Sequence, residues 1–313
     1  MAFDFDVLVA GSYSIDLIFS GLGELPQLGK DVVGTDFMMT PGEAFISSVA
    51  MHRLGIKVGW AADFGNDDFS QMALARAREE GLDDSLFIIH DHPYRRISAA
   101  ASYPEDRLFI TYYDPDPTVP AIFPAIMKKS ARLLFIPGLY TGELLKLGKQ
   151  LLHSKNMKLG MDGNSSSGEL LKGGKESSAI RKAIQSSDIF LPNAQEARRL
   201  TGEQELEIAI FRLGQLCPLV VIKDGGNGSL ALSQGHLTRM PPISVKPVDT
   251  TGAGDNFNAG FFYAWLDGKS LDTCLKWGNI MGGLSATAMG GTTLKITCDI
   301  VNQYLRGWPV ITN

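Results

Sequence analysis

Cysteine is scarce: Cys217, Cys274 and Cys298 are the only three in 313 residues. An odd number at these spacings builds neither a disulfide framework nor a zinc-type ligand set, so buried or free thiols in a reducing compartment are expected. The five histidines, His52, His90, His92, His153 and His236, also lack metal-ligand spacing. No apolar run reaches the roughly 18 residues that span a bilayer, and the opening MAFDFDVLVAG has no basic n-region or cleavage site. A cytoplasmic protein is the expectation. With 29 basic and 34 acidic side chains the formal charge is only −5, which gives no electrostatic reason to expect a nucleic-acid or membrane partner. Any phosphate ligand must find positive potential locally. The GxSxG elbow of serine hydrolases and the GxxxxGK[ST] loop of P-loop enzymes are both missing, which argues against those two chemistries.

What is present is an ordinary globular composition, 44% apolar and 20% charged, in a chain long enough to bury a large core. Short apolar runs of strand length stand at 6–10, 56–62, 132–136, 157–162, 188–193 and 219–224. Helical patterns lie between most of them, at 44–54, 67–80, 142–154, 176–186 and 194–215, and again at 254–266, 271–289 and 296–306. Continuous apolar strands alternating with helices predict an α/β fold with a mainly parallel central sheet, and one domain over 1–313. Two stretches, about 15–39 and 95–113, read instead as β-rich, the second as a hairpin turning near PEDR. They predict a small antiparallel sheet projecting as a lid, whose exposed edges could pair two copies into a homodimer. No internal repeat or long linker interrupts the chain; GNSSSGELLKGGKESS (163–178) is its most loop-like piece.

The chemistry should lie beyond the carboxyl ends of the strands. There the sequence places Asn193 to Glu196 (NAQE), Gly225 to Gly228 (GGNG) and DTTGAGD, 249–255. A helix starting near Gly254 leaves its first N–H groups unpaired, and glycines let those groups approach an anion without a Cβ in the way. An anion hole with one carboxylate, Asp255, beside it suits phosphoryl transfer, which needs donors around the migrating group and a base for the acceptor hydroxyl. Taken alone, such a run also reads as a capped turn, with Asp249 or Asp255 as the cap.

The run DTTGAGDNFNAGF resembles the C-terminal signature of the ribokinase-like (PfkB) family of carbohydrate and nucleoside kinases, DTxGAGDxF. NAQE is similar to that family's NxxE element, KDGGNGSL to its glycine loop, and WGNIMGGLSATAMGG (277–291) to its adenine-side helix and turn. PGEAFISSVAMHRLG (41–55) and DFGNDDF (63–69) are similar to its N-terminal signature, so the resemblance runs from about 6 to 306. It implies a three-layer α/β/α fold with a small β-sheet lid and ATP-dependent phosphorylation of a primary hydroxyl on a small sugar, sugar acid, polyol or nucleoside.

The roles it implies are specific. Asp255 would be the base, and the amides of Gly252, Ala253, Gly254 and Asp255 the anion hole. Asn193 and Glu196 would organise Mg2+, chiefly through water, as suits a hard cation that keeps its hydration shell. Lys223, Gly225 and Gly228 would lie along ATP, with Asn279 near its adenine or ribose, although Lys223 stands where many relatives have a hydroxyl residue. Carbonyls of Asp249 and Thr251, with backbone near Ala286 and Gly291, would hold a monovalent cation such as K+. Asp16, Gly42 and Asp67 match acceptor-side positions.

The match fails at Pro41 and Ile46, where the family has a glycine and a sugar-binding asparagine. An apolar side chain cannot replace an amide's donors and acceptor, which disfavours ribose and fructose. Glu43, Arg95, Arg96, Tyr112 and Tyr113 are candidates for substitute contacts. The same departure motivates a competing reading, a non-catalytic nucleotide- or sugar-binding regulatory protein of this fold, against which the intact Asp255 and glycine run argue. A vitamin-precursor kinase is a third reading, disfavoured by the sugar-kinase character of the N-terminal elements.

Overall fold

The computed structural model describes residues 3–103, 107–142, 145, 151–164 and 178–308. Thirteen strands are found there: β1 Phe5–Ala10, β2 Tyr13–Ser20, β3 Asp36–Glu43, β4 Val58–Phe64, β5 Phe87–Ile89, β6 Arg96–Ser102, β7 Arg107–Tyr113, β8 Ala131–Ile136, β9 Lys158–Asp162, β10 Ile189–Leu191, β11 Leu219–Lys223, β12 Ser229–Ser233 and β13 His236–Met240. The helices we name are α1 Ala44–Arg53, α2 Asp68–Glu79, α3 Ile122–Lys128, α4 Ser178–Ser186, α5 Ala194–Thr201, α6 Leu206–Gly214, α7 Ala253–Leu266, α8 Leu271–Ser285 and α9 Cys298–Arg306.

Nine strands form the central sheet in the order β13-β12-β11-β10-β9-β8-β1-β4-β5. From β5 to β11 the pairing is parallel, and β12 and β13 close one edge as an antiparallel hairpin. Alternate side chains of each strand face opposite layers. Val7, Val9, Leu133 and Phe135 join one core with residues of α1, α2, α7, α8 and α9, while Leu8, Leu134 and Ile136 join another with residues of α3 to α6. Burial on both faces explains why the strands read as unbroken apolar runs. The order reverses at β1, which has β4 on one side and β8 on the other, and this leaves a crevice at their carboxyl ends.

The lid is a separate four-stranded sheet, β3-β2-β6-β7. It is not wholly antiparallel as expected: β2 and β6 run parallel, Ile15 opposite Ile97, joining two antiparallel pairs. Each pair leaves the main sheet in the same sense, so their inner strands must run alike. Residues 21–35, expected in the lid, lie outside its strands. The sequence reading also missed α3, where Pro124 masks a short helical pattern, and the β12–β13 hairpin. The α8 helix ends at Ser285 and gives way to turns rather than continuing to 289. The PEDR turn, most of 142–154 and most of 163–178 lie outside the described residues.

Candidate active site

Four strand exits and one helix start supply the polar groups. Gly252 caps α7 with φ 71°, a conformation that favours glycine, and a Cβ there would sit 2.8 Å from Gly291 Cα and 3.0 Å from Ile46 Cδ1. The Ala253 amide donates to Thr250 O at 3.2 Å, so it is spent on the turn and leaves the expected set of four donors. Among the described residues, the amides of Gly252, Gly254 and Asp255 have no acceptor. Asp255 stands in the first turn of α7 and is partly exposed. Its Oδ1 accepts the Ser47 hydroxyl at 2.6 Å. Burial pushes its carboxyl up from the ordinary 3.8 to about 7; Ser47 and Lys223 oppose the rise, and Asp162 and Glu43 add to it.

Positive charge comes from Lys223, at the end of β11. Its Nζ lies 2.6 Å from Asp162 Oδ2 at the end of β9 and 3.4 Å from Asn258 Oδ1 on α7. A Cβ on Gly254 would be 3.5 Å from that Nζ, so the ammonium sits beside the unpaired amides. Asn258 Nδ2 also donates to Asp162 Oδ2, which closes the triangle. At the end of β10, Asn193 and Glu196 form a capping box on α5: the Glu196 amide donates to Asn193 Oδ1 at 2.8 Å, and the Asn193 amide to Glu196 Oε2 at 2.7 Å. Asn193 Nδ2 donates to Glu196 Oε1 at 2.7 Å. Burial, then repulsion from Asp162, push the Glu196 carboxyl up, with Lys223 opposing. Only a glycine fits beside it, since a Cβ on Gly163 would meet Glu196 Oε2 at 2.6 Å.

A cavity of about 240 Å3 opens at the β1–β8 crevice under the lid. Its polar lining includes Ser12, Glu43, Asp63, Tyr94, Arg96, Asp116, Tyr140 and Asn164. Glu43 precedes α1 at φ 53°, an unusual conformation for a side-chain-bearing residue. Tyr113 Oη donates to Glu43 Oε1 at 2.8 Å, and Arg96 Nη2 lies 4.0 Å from Oε2. Burial raises the Glu43 carboxyl and Arg96 opposes that. Arg96 also donates to Asp116 Oδ1 at 3.1 Å and stacks 4.2 Å from the Tyr113 ring, while its buried Nε has no acceptor. On the lid, Ser14 Oγ donates to Asp16 Oδ1 at 2.7 Å. A Cβ on Gly42 would fall 2.3 Å from Asp16 Oδ2, so Gly42 is what lets that carboxylate stand there.

Other expected residues are placed differently. Asp67 caps α2, accepting from the amides of Phe69, Ser70 and Tyr94 and from Ser70 Oγ, all within 3.1 Å. Burial would raise its carboxyl, but these hydrogen bonds outweigh it and hold the group below 3.8. Asp67 therefore ties the start of α2 to the Tyr94 backbone. Asn279 is buried and its Nδ2 donates to Met240 O and Pro241 O at 3.2 and 2.8 Å, which ties down the chain leaving β13. Gly225 and Gly228 have φ of 53° and 93°, and a Cβ on Gly228 would meet Met240 O at 2.1 Å. Asp249 binds the Thr251 amide and hydroxyl and the Gly290 amide, drawing together the two loops expected around a monovalent cation. Ala286 O already accepts from Val248 and Asp249 amides, and Gly291 O from Asn256. Arg95 and Tyr112 bond to Asp114 on the lid.

Sequence reasoning missed Ser47, Asp162, Asn258 and Asp116. Asp162 carried a signal, since it ends an apolar strand as Asn193 and Lys223 do. Ser47 and Asn258 carried none, because their partners lie 208 and 96 residues away.

Known proteins agree with this architecture. Bacillus subtilis ribokinase is 25% identical over 305 residues, covering 96% of this chain and 99% of that protein. The structure of Giardia lamblia ribokinase superposes with a TM-score of 0.82 at 17% identity, covering 97% of this chain and 99% of that one. A Vibrio cholerae fructokinase double mutant, in its fructose-, ADP- and potassium-bound form, gives 0.77 at 20% identity, covering 97% and 100%. Residues 5–298 match the pfkB family carbohydrate kinase signature, and the chain belongs to that family.

Proposed function

We propose that this kinase transfers the γ-phosphoryl of ATP to a hydroxyl of a neutral polyhydroxylated acceptor, a sugar, polyol or nucleoside, held under the lid between the cavity at the β1–β8 crevice and Asp255, with Glu43 lining the one and facing the other. The observation that carries the reading is the meeting of unpaired amides of Gly252, Gly254 and Asp255 with the Asp255 carboxylate and the Lys223 ammonium. Asp255 takes the acceptor's proton as attack begins. The three amides and Lys223 hold the transferring phosphoryl oxygens, in a site where such donors need no reorganisation. Glycines 225 and 228 let the β11–β12 loop follow the nucleotide backbone.

Mg2+ would be held through water by Asn193 and Glu196. Each Glu196 oxygen has one hydrogen bond and a further lone pair for a metal-bound water, and a cation there would relieve the repulsion between Glu196 and Asp162. When bound, the ion neutralises charge on the polyphosphate. A monovalent cation such as K+ would draw on the carbonyls of Asp249 and Thr251.

A neutral acceptor is favoured by the lining, where the guanidinium of Arg96 is already engaged by Glu43 and Asp116, and Asp63 is held by His90 and the Ala121 amide. A carboxylated sugar would find no uncommitted cation there. The competing non-catalytic reading leaves the unpaired amides and the base without a purpose. An ADP-release assay across neutral sugars, polyols, nucleosides and the matching sugar acids tests the reading. Turnover with neutral acceptors at least tenfold above the acids is expected. Preference for an acid removes the neutral-acceptor proposal, and no acceptor-dependent ADP release removes the kinase assignment.

A further inference from the structure

We infer that Ser47 is a positioning residue for this reaction: its hydroxyl holds Asp255 by one oxygen and leaves the other turned free toward the acceptor. The inference rests on the reading of Asp255 as the base. Ser47 is fully buried on α1, and its Oγ donates to Asp255 Oδ1 at 2.6 Å. Among the described residues Oδ2 has no hydrogen bond, so it is the atom left to receive a proton. The neighbouring Ser48 shows what a buried helical serine ordinarily does, donating 2.7 Å back to Ala44 O one turn earlier. Ser47 forgoes that local bond and reaches a carboxylate on another helix.

The preceding residue, Ile46, packs beneath Gly252 and Gly291, and one residue further, about 100° around the helix, the Ser47 hydroxyl faces the base. During transfer the acceptor's proton passes to Asp255 Oδ2 and its oxygen bonds to the γ-phosphorus, as the bond from that phosphorus to the β-phosphate oxygen breaks and ADP leaves. The Ser47 proton stays on Oγ throughout, and no atom of Ser47 is exchanged.

The charged groups facing Asp255 are Asp162 from β9, Lys223 from β11 and Glu43 before α1. Ser47 works with Lys223 to favour the ionised base against burial and the two acids. Losing a hydrogen bond to a charged group corresponds to a displacement of about one pH unit or more. The test is the pH profile of kcat/KM for the full-length protein with Mg·ATP and its best acceptor, for the parent, Ser47→Ala, Ser47→Cys and Asp255→Asn. In Ser47→Ala the acid limb should move up by about one pH unit, costing about tenfold at pH 6 and under threefold at pH 9. Ser47→Cys, with its weak donor, should fall between. KM for ATP should hold within twofold. An unmoved limb in Ser47→Ala, or a loss uniform across pH, overturns the inference. If Asp255→Asn retains turnover within threefold of the parent, the base assignment itself fails. If that variant is inactive while the Ser47 limb stays in place, only the Ser47 inference fails.

Discussion

Replacing Asp255 by Asn should abolish most activity while making the protein more stable. The Asp255 carboxyl rises from 3.8 to about 7 on folding, chiefly through burial. Its protonated form is therefore favoured in the folded chain. The associated stability is fully present below about pH 4 and is lost as pH rises through about 7, where the folded state must finally ionise. Across that interval the loss approaches about 4 kcal/mol at about 1.4 per pH unit, and water at the partly exposed side chain discounts it to about 2 kcal/mol. Asparagine keeps an acceptor for Ser47 and carries no charge to bury. Urea denaturation of both proteins at pH 4.5, 6, 7 and 8.5 should give curves that nearly coincide at the lowest pH and separate in favour of Asp255→Asn up to pH 7, then stay parallel. Turnover should fall at least ~10²-fold, a positioned base's usual contribution, with ATP affinity nearly unchanged. A variant no more stable than its parent at pH 8.5 would refute the claim that the carboxylate is held under strain.

The buried Lys223–Asp162 pair, 11% and 8% exposed at 2.6 Å, supports a second cycle. Lys223→Met alone should destabilise by about 3–5 kcal/mol, because Asp162 is left a buried charge without its counter-ion, and adding Asp162→Asn should recover most of that. Activity should not return in the double variant, since the cation beside Gly254 is gone; recovery of kcat along with stability would show Lys223 to be purely structural. At the lid, Gly42→Ala must displace Asp16, which a Cβ would approach to 2.3 Å. Steady-state kinetics should show the acceptor's KM rising roughly tenfold to a hundredfold with the ATP KM unmoved, and a twofold or smaller change would take Asp16 out of the acceptor site.

Most of the central sheet was legible because each strand is buried on both faces, so its own six or so residues declare it. The run around Gly252–Asp255 was legible for a related reason: a tight turn, a helix start and a carboxylate are all encoded within seven residues. The hidden features depend on pairing between distant segments. Parallel contact of β2 with β6 cannot be read from either strand, and Ser47 looks like any small helical residue until Asp255 is placed opposite. The capping role of Asp67 was legible on spacing alone, since an Asp three residues before Ser70 at a helix start is a cap. The bonds of Asn279 were not, because its partners Met240 and Pro241 lie nearly forty residues away on the chain leaving β13.

Ile46 has a consequence for any attempt to redesign this enzyme toward its relatives' substrates. Its methyl groups are the floor on which the Gly252 and Gly291 turns rest, so an asparagine placed there would set an amide against two glycine backbones and lower that floor. The polarity of this position and the shape of the Gly252 turn are thus written into one side chain. Changing the first requires rebuilding the second in the same step.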